Sequence, residues 1–379
     1  MVILFWASIT LLIYTYLGYP IFLYIIGRFI KNNHTVDEEI YPKVTLLIPA
    51  YNEEKDIEAK IQNSLELDYP EERLEIIVSC DGCTDRTDEI AKEYIKAGIK
   101  CLSFKERAGK MAVLNKTVPI VKGDIIVFTD ANAMLDIKAI KNIVRHFGDK
   151  KVGCVCGEKN ILTNKGFGTE KSESLYWRLE SFLKRWESYI SSCSGADGSL
   201  YAIHKELYPF PKDNMLIMDD MIVSLKIVEK GYRCIYEPKA KAFESSSINT
   251  FDEFTRKVRI LSGSLTAIWE VKRLLIPFIS PIAFQLWSRK VLRWVGILFM
   301  ISAFFSNLFL KGIFYKTILW IQGVFYLMAI LGLVMEIKKK RVSIFYIPFY
   351  FCLANLAQIV GIWSFWKKKN QPAWKRLER

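Results

Sequence analysis

The chain has 379 residues, a formal net charge of +13, and 51% hydrophobic residues that include 24 Phe, 18 Tyr and 10 Trp. That length holds two soluble domains or one domain with membrane segments, and the concentration of apolar residues in 1–30 and 291–366 favours the second. Basic residues crowd the ends of the apolar runs, at Lys338, Lys339, Lys340 and Arg341 and again at Lys367, Lys368 and Lys369, which points to anionic lipid headgroups and away from nucleic acid, for which no reading motif is present.

The segment from Val2 to Ile30 is almost entirely apolar, with Arg28 near its end and Lys31 just after. It is long enough to span a bilayer and lacks the basic start and short core of a signal peptide. The charge asymmetry predicts an outside N-terminus and a cytoplasmic catalytic domain in a multi-pass cell-membrane protein.

A polar linker then leads into strands that alternate with helices. Val44 to Ile48 reads as a strand ending at Pro49, and Ala50-Tyr51-Asn52-Glu53 opens a helix toward Leu67. Leu74 to Ser79 is a second strand, ending in Cys80-Asp81-Gly82-Cys83-Thr84-Asp85, with Thr87 to Ala97 as its helix. Ile99 to Phe104 is a third, and Gly109-Lys110 opens the next helix. The fourth, Ile125 to Phe128, is a continuous apolar run that stops at Thr129, Asp130 and Asn132, as strands buried on both faces do. A repeat of about 30 residues of this kind means an α/β fold with a mostly parallel sheet. Ligands in such sheets bind beyond the carboxyl ends of the strands, and three of those ends carry acids: Glu53, Asp81 and Asp130. The oxygen-rich Asp130–Asn132 loop suits Mg²⁺ or Mn²⁺, although an Asp capping a helix gives the same local pattern. Neither of the two commonest glycine-rich nucleotide fingerprints occurs.

Eight cysteines show no framework spacing. Cys80-x-x-Cys83 and Cys154-x-Cys156 lack a matching second ligand set, so the thiols read as reduced and packed as small hydrophobes. The three histidines are far apart. Between Lys171 and Ile190, Leu175, Leu179, Phe182, Leu183, Trp186 and Ile190 fall at helical spacing, which predicts a helix with its apolar face to the core. Met218-Asp219-Asp220 begins another helix, where acids also suit the dipole. The segments 292–310, 313–336 and 343–366 are each long enough to span, while Leu274 to Trp287, broken by Pro277 and Pro281, suits an interfacial helix.

The ordered series Pro49-Ala50-Tyr51-Asn52-Glu53, Cys80-Asp81-Gly82, Gly109-Lys110, and Asp130-Ala131-Asn132 resembles the family 2 glycosyltransferases. The likeness is strongest to the membrane-embedded branch of cellulose, hyaluronan and chitin-oligosaccharide synthases. It implies a GT-A fold and a UDP-sugar donor. Carried over by position, Ala50, Tyr51, Glu53 and Asp81 bind the nucleoside, Lys110 and Arg259 the diphosphate, and Asp130 with Asn132 a Mg²⁺ or Mn²⁺ ion. Gly198, Ser199 and Asp219 lie at the acceptor, and Asp220 is the general base. Five positions depart from that pattern: Asn132 stands where the family has a second Asp, Met218 and Asp219 where it has Thr and Glu before the base, and Arg256 and Ile260 where processive members have Gln and Trp. The expected organisation is an N-terminal span (1–31), a GT-A domain (42–245), amphipathic helices (246–290), about three further spans (291–366) and a basic tail (367–379). The expected reaction is inverting transfer of a sugar to a growing glycan. Single-sugar transfer to a lipid or lipid phosphate is the alternative within enzymes, and a nucleotide-sugar-binding membrane sensor the alternative outside them.

Overall fold

The computed structural model describes residues 1–30, 34–162, 169–213, 218–245, 250–277, 279–338, 340 and 342–367. Its described strands form one mixed sheet: β1 (Val44–Ala50), β2 (Leu74–Asp81), β3 (Lys100–Phe104), β4 (Ile125–Phe128), β5 (Met134–Leu135), β6 (Val152–Leu162), β7 (Tyr201–His204) and β8 (Arg233–Ser245). Their spatial order is β3-β2-β1-β4-β7-β6-β8-β5. The first four in space run parallel, joined through helices Ile57–Leu65, Thr87–Glu93 and Lys110–Thr117. Side chains alternate across the strands, so each strand feeds two cores. Leu46, Ile48 and Val78 pack with Ile57 and Ile61 on one face. Leu47, Ile77 and Ile126 pack with Met111 and Leu114 on the other.

β1 runs two residues past its sequence-predicted end. Pro49 stands in register with Ser79 of β2, but β4 pairs with β1 only as far as Leu47, so the proline lies where that ladder has already ended. Beyond β4 the sheet changes character. β7 pairs antiparallel to β4 and to β6, β8 runs parallel to β6, and β5 closes the edge antiparallel to β8. The alternation of strands and helices anticipates the parallel half alone. The reversal at β7 leaves no local signal, because four residues cannot encode their own direction.

The helix Thr169–Ile190 keeps only part of the expected pattern: Leu183 is buried, with Trp186 and Ile190 packed in the same cluster. Glu180, Lys184, Glu187 and Ser188 are buried, while Leu179 and Phe182 are over one-third exposed. Burying carboxylates is tolerated because they are paired. Arg289 bonds Glu180 and Glu187, and Arg293 Nη1 lies 2.6 Å from Glu180 Oε1. The aromatic side meets the N-terminal helix instead, with Tyr24 edge-on to Trp186 at 5.1 Å and Tyr19 donating to Glu187 Oε1 at 2.7 Å.

Among the described residues, three helical stretches are long and apolar enough to cross a membrane: Val2–Phe29, Ile313–Ile337 and Ser343–Lys367. Pro281–Trp294 and Gly296–Leu308 form a pair bent by 57°. The bend falls between Trp294 and Gly296, inside the segment 292–310 that the sequence reads as a span. The amphipathic helix Thr250–Glu270 packs on Ser343–Lys367, where Gly361 has no side chain and Leu261 fills the space.

Candidate active site

The carboxyl ends of β1, β2 and β4 open into a cleft of about 640 Å³. Ala50, Tyr51 and Glu53 line it past β1, and Arg107 stacks its guanidinium over the Tyr51 ring at 4.0 Å. Asp81 ends β2. Its Oδ1 accepts the Ala108 N–H at 2.7 Å and its Oδ2 the Gly109 N–H at 2.8 Å. Gly82 follows with φ +61, and a Cβ there would sit 2.5 Å from the Arg107 nitrogen. Only glycine permits that conformation and approach. The Asp81 carboxylate thus clamps the loop that launches Lys110 into the cleft.

Asp130 follows β4 in a tight turn closed by the Ala133 N–H on its carbonyl at 3.1 Å. The turn is held from behind by Lys60, which the sequence reading missed. Its Nζ, wholly buried, donates to Thr129 Oγ1 at 3.0 Å and to the Ala133 carbonyl. Burial lowers the Lys60 amine to about 7 against the pull of Asp130 and Glu244. Thr129 Oγ1 in turn donates to the Ser199 carbonyl at 2.8 Å, joining β4 to the Gly195–Ser199 turn.

Four charged groups converge around Gly198. Lys110 Nζ lies 2.8 Å from Asp130 Oδ1 and 3.0 Å from Asp219 Oδ2. A Cβ built on Gly198 would come within 3.3 Å of Asp130 Oδ2, 3.6 Å of Asp220 Oδ2 and 3.7 Å of Lys110 Nζ. Asp219 and Asp220 stand in the first turn of helix Asp219–Glu229. Asp220 Oδ1 accepts its neighbour's N–H at 2.7 Å, which leaves Oδ2 as the oxygen beside Gly198. Burial, then the charges of Asp219 and Asp197, raise the Asp220 carboxyl from 3.8 to about 7. Lys110 is shifted upward because Asp130 and Asp219 outweigh its burial. Asp197 goes the other way: Lys159 and Lys184 overcome burial and hold it at about 2. A carboxyl titrating near neutrality, close to Asp197 held at about 2, is the pattern of a proton acceptor.

The cleft collects all the sequence-predicted site residues but one. Ala50, Tyr51, Glu53, Asp81, Lys110, Asp130, Asn132, Gly198, Asp219, Asp220 and Arg259 line it. Ser199 does not. It is 1% exposed, and its hydroxyl donates to Asp197 Oδ1 at 2.7 Å, so it braces the turn under Gly198 and meets no ligand. Lys159, Asp197, Lys290 and Arg293 line the cleft without having been singled out. Asp197 alone had a signal, as the one acid in the turn-rich run from Ser194 to Ser199.

Residues 45–207 match the profile "Glycosyl transferase family 2". The chain is 26% identical to the probable glycosyltransferase YdaM of Bacillus subtilis over 89% of its own length and 87% of that protein's. It is 30% identical to a poly-beta-1,6-N-acetyl-D-glucosamine synthase of Staphylococcus aureus, over 52% of this chain and about half (48%) of the synthase. Among solved structures, the mannosyltransferase PcManGT from Pyrobaculum calidifontis, in complex with GDP-Man and Mn²⁺, superposes with a TM-score of 0.72 at 21% identity. That match covers 97% of this chain and 100% of that one and establishes the fold. Residues 45–207 thus form a family 2 glycosyltransferase domain, and the chain carries the GT-A fold.

Proposed function

We propose that the chain is a membrane-anchored, inverting glycosyltransferase that moves a sugar from a UDP-sugar onto a growing glycan. The observation that carries this reading is the convergence of Asp130, Lys110, Asp219 and Asp220 around Gly198. Ala50, Tyr51, Glu53 and Asp81 would take the nucleoside, with Lys110 and Arg259 on the diphosphate. The acceptor sugar would rest over Gly198 beside Asp219, where the missing side chain leaves room. Asp220 Oδ2 would take the proton from the acceptor hydroxyl as that oxygen attacks the anomeric carbon. The bond from that carbon to the diphosphate oxygen breaks, the electron pair leaves with the nucleoside diphosphate, and the configuration inverts.

The residues present fit a divalent ion. Asp130 and Asn132 offer only hard oxygen donors, the set that Mg²⁺ and Mn²⁺ prefer. The buried Asn132 Nδ2 has no hydrogen-bond partner, so turning the amide oxygen toward an ion breaks no bond at that nitrogen. When bound, such an ion supplies Lewis-acid stabilisation of the departing diphosphate. The PcManGT complex with Mn²⁺ and a nucleotide sugar supports this assignment.

A second reading, transfer of one sugar to a lipid-linked acceptor, is favoured by other parts of the cleft lining. It includes Tyr16 of the first candidate span and Tyr350, Phe351 and Asn355 of the last, together with Arg256, Lys257, Lys290 and Arg293. Basic side chains beside candidate spans suit a phosphorylated lipid. One experiment separates the readings. Purified chain is incubated with a panel of UDP-sugars and Mn²⁺ in lipid nanodiscs, and UDP release and product mass are followed. A polymer or oligosaccharide supports the first reading and a solvent-extractable single-sugar lipid the second. Absence of UDP release above background with every donor would refute both.

A further inference from the structure

Where β2 pairs with β3, two thiols and a carboxylate meet. Cys80 Sγ, Cys101 Sγ and a carboxylate oxygen of Asp88 lie within 4.8 Å of one another. Cys101 Sγ is 3.6 Å from Asp88 Oδ1. The three side chains come from three places: the end of β2, β3, and helix Thr87–Glu93. Sequence spacing showed only Cys80 and Cys83, because Cys101 is brought in by the parallel register that sets Val78 opposite it.

We propose that Cys80, Cys101 and Asp88 form a soft-metal site for a Zn²⁺-class ion, separate from the oxygen-donor site at Asp130. Two sulfurs and one carboxylate oxygen supply three positions of a tetrahedron and leave the fourth to water. Zn–S bonds of about 2.3 Å place tetrahedral ligand sulfurs about 3.8 Å apart, and the three ligand atoms here all lie within 4.8 Å of one another. Purely apolar packing accounts for Cys80, which is 1% exposed, but not for a carboxylate set against the thiols. Cys101 and Asp88 are only half-buried and β3 is an edge strand of the sheet, so an ion has a path in. Lys92 holds Asp88 Oδ2, while Oδ1, on the thiol side, also accepts the Ser103 hydroxyl. Binding exchanges each thiol S–H for a metal–sulfur bond and releases the proton to solvent. The occupied site would staple β2 to β3 directly behind Asp81, stiffening the clamp on Ala108 and Gly109 that positions Lys110. This inference does not depend on the sugar, the acceptor or the role of Asp220.

The test uses full-length chain in detergent, stripped with chelator under reducing conditions and titrated with Zn²⁺ and with Cd²⁺. Cd²⁺ is the probe because its thiolate charge-transfer absorption in the ultraviolet cannot arise at an oxygen-only site. The expected result is a saturable band at one equivalent, with proton release, that survives Asp130→Asn and Cys352→Ser and is lost in Cys101→Ser. Asp88→Asn is expected to keep the band and weaken binding by about ten-fold or more. Cys101 lies half-buried on an edge strand, so the serine variant is expected to fold, and circular dichroism checks that it has. Should it not fold, Cys80→Ser provides the same loss. No band at one equivalent, or an undiminished band in folded Cys101→Ser, would overturn the proposal.

Discussion

The pH dependence of Asp220 links its chemistry to a cost in stability, and both are measurable. The carboxyl is 7% exposed and is raised from 3.8 to about 7 by burial, then by Asp219 and Asp197, with Lys110 opposing. A general base must be ionised, so kcat/KM for UDP release should climb with pH and level off above about 7. The neighbours set that midpoint. Asp219→Asn removes a repelling charge and should move it down, whereas Lys110→Met removes an attracting one and should move it up. The shift of roughly three pH units corresponds to about 4 kcal/mol. Its sign follows from proton counting. Below about 4 both folded and unfolded chains carry the proton and the group contributes nothing. Between about 4 and 7 the unfolded chain has released it and the folded chain has not, so stability falls as pH rises and the full cost is present above 7. Asp220→Asn should therefore be inactive yet more stable than the wild type near pH 8, by up to about 4 kcal/mol, and equal to it near pH 4. Denaturant melts in detergent at both pH values, with the activity profile from roughly pH 5 to 9, test the whole chain of reasoning. A flat profile, a midpoint unmoved by Asp219→Asn, or a stability gap that does not open with pH would refute it.

Lys60→Met removes the donor to Thr129 and Ala133 behind the Asp130 turn and should lower kcat about ten-fold. Because the Lys60 amine is lowered from 10.5 to about 7, the wild type should gain stability as pH rises between those values; the variant should lack that gain in the same melts. Glu187→Leu strips Arg289 of one of its two buried carboxylates, and a loss of about 3–5 kcal/mol is expected in thermal unfolding. Gly123→Ala puts a Cβ 2.4 Å from the Thr45 nitrogen and 2.7 Å from the Val44 carbonyl carbon. Both are backbone atoms of a central strand, so little folded protein should be recovered on size exclusion.

The site was legible where its chemistry sits on strand ends. Glu53, Asp81 and Asp130 each follow an apolar run, and a parallel sheet must bring such ends to one edge. Asp219 and Asp220 were legible as acids at a helix start, though nothing in their spacing to Asp130 showed that both would face Lys110. Ser199 was misplaced for a related reason. In a turn, hydroxyl direction depends on the backbone, and here Ser199 turns inward to Asp197, while Gly198 presents the open surface.

The illegible part consists of charges that are buried because something distant pairs with them. An amphipathic reading assumes that water takes the charged face, and along Thr169–Ile190 that assumption fails. Glu180 and Glu187 are inside because Arg289 and Arg293, more than a hundred residues later, meet them there. The same helix presents Lys184 to Asp197 at 3.8 Å, one step from Gly198. Its position is set in turn by Tyr19 and Tyr24 of the N-terminal helix. The apolar first segment therefore does more than supply a stretch long enough to enter a bilayer. Through Glu187 and Lys184 it fixes one wall of the cleft, which couples the charged groups at the sheet edge to the long apolar helices.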